Sequence, residues 1–117
     1  MSLWVNLYLG EREVTCSECG HVRVERNCVF TENITHNLSN MAVAAGFYDV
    51  VWMGAEKARD IVPALKAGIE KMKADPAYFK TFDAPNGWGM YEGFLPWCEA
   101  YLAACEAHPE ATVEVSR

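Results

Sequence analysis

Apolar and polar side chains follow two different periods along this chain, and the change falls near residue 36. Over the first third the repeat is that of strands. Leu3 to Leu9 alternates apolar and mixed side chains, and Glu11 to Thr15 continues after Gly10. Val22 to Glu25 and Cys28 to Thr35 are β-branched and partly alternating. Cys16-Ser17-Glu18-Cys19-Gly20 reads as a tight turn between them. A meander of three or four antiparallel strands is predicted.

From there the repeat is helical. Asn37 to Ala45 carries Leu38, Met41, Ala42 and Ala45 on one stripe that stops at Gly46. Phe47 to Met53 is a short apolar turn or helix. Lys57 to Ala74 places Ala58, Ile61, Val62, Leu65, Ile69 and Met72 on one face, with Pro63 marking a kink or a restart. Pro76 to Phe82 reads as a short helical segment or turn. Met90 to Glu106 repeats the apolar stripe through Tyr91, Phe94, Leu95, Cys98, Leu102 and Cys105, with Pro96 tolerable only near its first turns. Ala111 to Val115 alternates again. The fold class expected is α+β: a small antiparallel sheet at the N-terminus, joined by a C-terminal strand, packed against three to four helices. No repeat or long linker divides the chain, so residues 1–117 read as one domain: strands with a Cys-x-x-Cys turn over 1–35, helices over 36–108, a strand over 109–117.

Half of the residues (51%) are hydrophobic, which argues against a disordered chain. The net charge of −6 argues against nucleic acid or an anionic membrane surface as main partner. No apolar run approaches the ~20 residues of a membrane helix. Residues 1–8 lack a basic start and a small-residue cleavage site, so no signal peptide is read and a cytoplasmic location is expected. In that reducing setting the five cysteines are thiols or metal ligands rather than disulfides, and the sequons at Asn33 and Asn37 are not glycosylation acceptors.

Two clusters carry candidate chemistry. The first, Glu32-Asn33-Ile34-Thr35-His36-Asn37-Leu38, crowds hydrogen-bonding side chains at a strand-to-helix junction, where backbone N–H groups are free and the helix dipole favours anions. The second, Asn86-Gly87-Trp88-Gly89-Met90-Tyr91-Glu92, begins with an Asn-Gly turn and sets a tryptophan between two glycines, where it can project as a stacking platform. If the clusters meet, Asn33, Thr35, His36 and Asn37 face Asn86, Gly87, Trp88 and Tyr91 across a small polar pocket with an aromatic wall. The simpler alternatives are capping by Thr35 or Asn37 and a Trp88 folded over the core edge. His36 is the side chain suited to proton transfer, but no nucleophile or triad partner accompanies it, so no catalytic residue is assigned.

Cys16-Ser17-Glu18-Cys19-Gly20-His21 resembles a zinc knuckle: two thiolates in a tight turn chelate one Zn²⁺, with Cys28 as third ligand and His21 or His36 as fourth. No second Cys-x-x-Cys accompanies it, and a turn with two free thiols is the alternative. A zinc ion held here has a structural role. Cys98 and Cys105, seven apart on the last helix, read as small buried hydrophobes.

The stretches Asn33 to Leu38 with Met41-Ala42 and Ala45-Gly46, Pro85 to Gly89 with Tyr91-Glu92, Tyr101-Leu102 and Val113 to Arg117 together resemble a family of small phage and prophage proteins. The resemblance covers most of the chain from Asn33 onward. Family members often lack the cysteine knuckle, which makes zinc an optional elaboration. The resemblance implies a phage gene product in the host cytoplasm and brings no activity with it. Phage proteins of this size commonly inhibit host defence, including by sequestering nucleotide signals.

The expected function is a non-enzymatic binding protein for a small anionic or nucleotide-like ligand. The alternatives are a protein–protein interaction inhibitor that carries the zinc knuckle and binds a host protein, and, less favoured, a His36-dependent nucleotide hydrolase. A homo-oligomer is compatible with each.

Overall fold

The computed structural model describes residues 2–117, the side chains of residues 11–12 and 24–26 apart; Met1, within the segment read for a leader, lies outside the described residues. The fold is α+β. Strand β1 (Ser2–Thr15) and strand β2 (Val22–Thr35) form one long antiparallel hairpin, and strand β3 (Thr112–Ser116) pairs with the first half of β1, in the order β2-β1-β3. The meander predicted from the sequence is therefore two continuous strands. Its breaks at Gly10 and before Cys28 face each other at one register shift, where β1 gains Gly10 between Leu9↔Asn27 and Glu11↔Arg26; a second shift, where β2 gains Val29 between Leu7↔Phe30 and Tyr8↔Cys28, lies inside the predicted strand. A bulge interrupts alternation without ending the ladder, which is why a periodicity reading cuts the strand there.

Only the N-terminal half of the hairpin covers a core. Leu3, Val5 and Leu7 are buried, and Leu9 and Val29 are the outermost hairpin side chains packed on the core cluster. β3 reaches only from Trp4 to Tyr8. Beyond that the hairpin continues as a two-stranded arm. The radius of gyration of 16.6 Å exceeds the ~13 Å of a compact chain of this length, and the longest axis reaches 59 Å.

A 3₁₀ turn over His36–Leu38 leads into α1 (Ser39–Ala45), followed by a π-helical turn over Asp49–Met53. The amphipathic stretch expected from Lys57 starts as helix α2 only at Val62 (Val62–Ala74). Pro63 suits a first turn, where its missing N–H has no partner to lose. Before it, a 3₁₀ turn (Ala58–Asp60) is closed by Lys57 N–H donating to Asp60 Oδ2 at 3.2 Å and tied to the C-terminal segment by Ala58 N–H to Ala111 O at 2.9 Å. Helix α3 (Pro76–Lys80) is one short turn, and α4 (Tyr91–Ala107) is the longest helix. Pro96 sits inside α4 with its ring on the exposed face, more than a turn in, and removes one N–H from the ladder.

The helices cover the inner face of the sheet. Phe30 of β2 stacks on Tyr101 of α4 with ring centroids 5.7 Å apart. Trp97 Nε1 donates to Asn33 O at 3.1 Å, a second tie between α4 and β2. Gly68 of α2 packs against the end of α1 and the residue that follows it: a Cβ there would clash with the Phe47 ring and stand 3.0 Å from Ala45 O. Among the described residues the buried side chains are aliphatic, aromatic or cysteine, with no charged group among them, so the polar atoms inside are confined to hydroxyls such as those of Tyr91 and Tyr101, the Trp52 N–H and the Cys98 and Cys105 thiols. No helix among the described residues is long and apolar enough to cross a membrane.

Candidate functional site

The strand-to-helix junction and the glycine-rich loop meet. Asn37 Nδ2 donates to Trp88 O at 2.7 Å across 51 positions of chain. Gly89 lies against the same junction, where a Cβ would stand 3.0 Å from Asn37 Cβ and 3.3 Å from Thr35 Cγ2. Its φ of +119° adds a second reason for glycine.

Each segment is shaped by its own short bonds. Thr35 Oγ1 accepts from Asn37 N–H at 3.3 Å and so caps the 3₁₀ turn. Asn86 Oδ1 accepts from Trp88 N–H at 3.0 Å, and Ala84 N–H reaches Gly89 O at 3.1 Å, closing the loop on itself. Asp83 Oδ1 accepts from Tyr91 N–H at 2.7 Å at the start of α4.

Between the segments lies an open hollow of about 620 Å³. One wall is His36, Asn37, Ser39 and Asn40; the other runs from Phe82 through Asp83, Ala84 and Pro85 to Asn86. The half-buried His36 ring is oriented from behind: Trp52 Nε1 donates to His36 Nδ1 at 3.1 Å. With Nδ1 accepting, the neutral ring carries its hydrogen on Nε2 and offers a donor there. Ser39 and Asn40 add a hydroxyl and an amide, and Asp83 adds a carboxylate.

No family model, curated protein or solved structure matches this chain.

Of the residues singled out in the sequence, His36, Asn37 and Asn86 line the hollow. Thr35, Gly87 and Trp88 belong to the two meeting segments without lining it. Trp88 contributes its carbonyl to the junction, and its indole projects 74% exposed rather than folding over the core. Asn33 sits up the strand opposite Trp4, with its carbonyl on Trp97. Tyr91 points the other way: it is 6% exposed, and its hydroxyl donates to Met72 O at 2.8 Å. Its register on the apolar stripe of α4 decides that orientation.

The anion-binding expectation for the helix starts also changes. At α4 the first N–H is taken by Asp83, and a carboxylate on the rim repels an anion placed beside it. Asp83, Phe82, Ala84 and Pro85 were not legible as site residues, because no short-range pattern links Asp83 to a helix that begins eight positions later. Ser39 and Asn40 carried a signal in the crowding of polar side chains around His36.

At the far end of the hairpin, Cys16, Cys19 and His21 share a second hollow of about 490 Å³ with Val14, Ser17 and Arg23. Backbone N–H groups of Cys19 and Glu18 lower the Cys16 thiol from its ordinary value, with the Cys19 side chain adding to the effect. Cys28 is not with them. It pairs with Tyr8, and from Val22 to Cys28 the strand runs roughly 20 Å at ~3.3 Å per residue. His36 lies at the opposite end of β2. The four-ligand set drawn from Cys16, Cys19, Cys28 and His21 or His36 is therefore not assembled within one chain, because Cys28 and His36 lie at other levels of the hairpin from the tip that holds Cys16, Cys19 and His21. Among the described residues no group of three or more His, Cys, Asp or Glu side chains is gathered to hold a metal ion.

Proposed function

We propose that this protein binds a small, polar, ring-containing ligand of the nucleotide type in the hollow between residues 36–40 and 82–86, without turning it over. The observation that carries the reading is the Asn37–Trp88 bond, because it joins two polar segments around one cavity of ligand size. The wall chemistry suits a base and a sugar. His36 Nε2 and Ser39 can donate, Asn37, Asn40 and Asn86 can pair with amide-like edges, and Phe82 and Pro85 supply apolar surface. Asp83 favours a hydroxyl or an amino group beside it and directs any phosphate outward to solvent. Trp88, at the junction, is free to stack on a ring that extends beyond the rim. Binding rather than catalysis fits a cavity whose His36 has Nδ1 committed to Trp52, which leaves Nε2 facing the hollow as a donor rather than a base. Given the resemblance to small phage and prophage proteins, sequestration of a host nucleotide signal is the biological form this binding takes.

Thermal shift against nucleosides, mononucleotides, cyclic nucleotides and dinucleotides tests the reading. A ligand present at 100 times its dissociation constant stabilises the fold by ~2.7 kcal/mol. The shift is expected to shrink in Asn86→Ala and in Asn40→Ala. Equal stabilisation of wild type and both variants, or none with any member of the panel, removes the proposal.

The exposure of Trp88 supports a second reading, in which this edge docks on a host protein. A Trp88→Ala variant that keeps its nucleotide shift but loses an isolated host partner selects that reading.

A further inference from the structure

The hairpin carries its turn away from the helical body. Gly20 N–H donates to Cys16 O at 2.9 Å and Cys16 N–H to His21 O at 2.8 Å, so residues 16–21 close on themselves. Gly20 at φ +71° lets the chain reverse directly after the second cysteine. Cys16 and Cys19 are both exposed and free, and they line one hollow at the tip.

Zinc in a closed structural site takes four ligands in a tetrahedron. This chain supplies two sulfurs at the tip; His21 lines the same hollow, but among the described residues no three His, Cys, Asp or Glu side chains are gathered to hold a metal ion. A second copy supplies an identical pair. A two-fold axis through one metal ion joins the two turns symmetrically and completes four sulfurs. The arm makes this approach feasible for a chain of net charge −6, because it holds the two bodies apart by more than the ~8 Å over which salt screens charge. Residues 15–23, which include the tip, are all exposed.

We propose that one Zn²⁺ clasps two copies of this chain tip to tip through Cys16 and Cys19 of each. Each thiol releases its proton to solvent on ligation, and no redox change is involved. The clasp is independent of the hollow around His36.

Zinc titration of the full, reduced, metal-stripped protein tests it, with mass measured by light scattering and Co²⁺ as spectroscopic probe. The expected result is uptake of one Zn²⁺ per two chains, a doubling of mass that a chelator reverses, and a Co²⁺ spectrum of four thiolates. Cys16→Ser and Cys19→Ser are expected to abolish all three, while Cys28→Ser and His21→Ala leave them in place. One zinc per monomer, uptake that depends on His21 or Cys28, a dimer insensitive to chelator, or no uptake of zinc overturns the proposal.

Discussion

Trp52 Nε1 donates to His36 Nδ1 at 3.1 Å, joining an indole that is 1% exposed to an imidazole on the wall of the hollow. The bond links core packing to site chemistry. Trp52 is held by a stack on Tyr48 and an edge contact with Phe94, at ring-centroid distances of 5.7 and 6.2 Å, so the ring that orients His36 is itself immobilised. His36→Ala leaves a buried N–H without its partner and is expected to destabilise the fold by about 1–3 kcal/mol. Urea denaturation checks this: an unchanged midpoint means the bond contributes nothing. Trp52→Phe releases His36 Nδ1 and is expected to weaken ligand binding without altering any lining residue.

Two glycines are expected to respond badly to alanine for different reasons. In an isolated helix Ala is preferred over Gly by ~1 kcal/mol. At Gly68 the added methyl meets the Phe47 ring and the Ala45 carbonyl, and overpacking of about 1–3 kcal/mol outweighs the propensity gain. Gly68→Ala should therefore lower the melting temperature and loosen α1 from α2. Gly89→Ala should act locally, pushing the loop off Asn37 and reducing ligand affinity more than global stability. Equal effects on both readouts in both variants would contradict this division.

Tyr101 is fully buried, and its hydroxyl has no hydrogen-bond partner among the described residues. Burial drives its phenol pKa upward, with Cys105 adding to the effect. Tyr101→Phe keeps the ring on Phe30 and removes an unsatisfied group. Stability is expected to be unchanged or raised by up to ~1 kcal/mol. A clear loss in denaturant titration would show that the hydroxyl is paired in solution.

The cysteines are expected to divide into two sets. Cys16, Cys19 and Cys28 are exposed, while Cys98 and Cys105 are buried. A thiol reagent should modify the first three in the native protein and the last two only on unfolding. Burial pushes the Cys105 thiol up to about 12 from an ordinary 9.0, with Glu106 contributing, and raises Cys98 in the same direction. A raised folded pKa means that the unfolded chain ionises first. The stabilisation is thus complete below pH ~9 and is lost as pH rises from there toward 12. Denaturation midpoints that hold constant over that window, or rise, would contradict the burial of these thiols.

Elements were legible in this chain wherever one face alone is buried. The stripe Ala58, Ile61, Leu65, Ile69 and Met72 names the inner side of its helical stretch before any coordinates are seen, and Leu3, Val5 and Leu7 do so for the first strand. The reading failed where two faces or two copies of a pattern compete. Gly10 looked like an end and is a bulge in a continuous strand. Tyr91 looked like a site residue and belongs to the core, because its place in the helical repeat outranks its polar tip.

Periodicity, caps and breakers are properties of neighbours along the backbone, and they settled the α+β class, the change from strands to helices near residue 36 and the apolar faces. The hollow depends on the position of Asn37 relative to Trp88, and of Asp83 relative to His36. Those separations follow from how four helices settle together on one sheet, a sum over many apolar contacts that no local pattern encodes. The same holds in reverse for Cys28: near the knuckle in sequence, it is carried away from it because an extended strand spends ~3.3 Å on every residue.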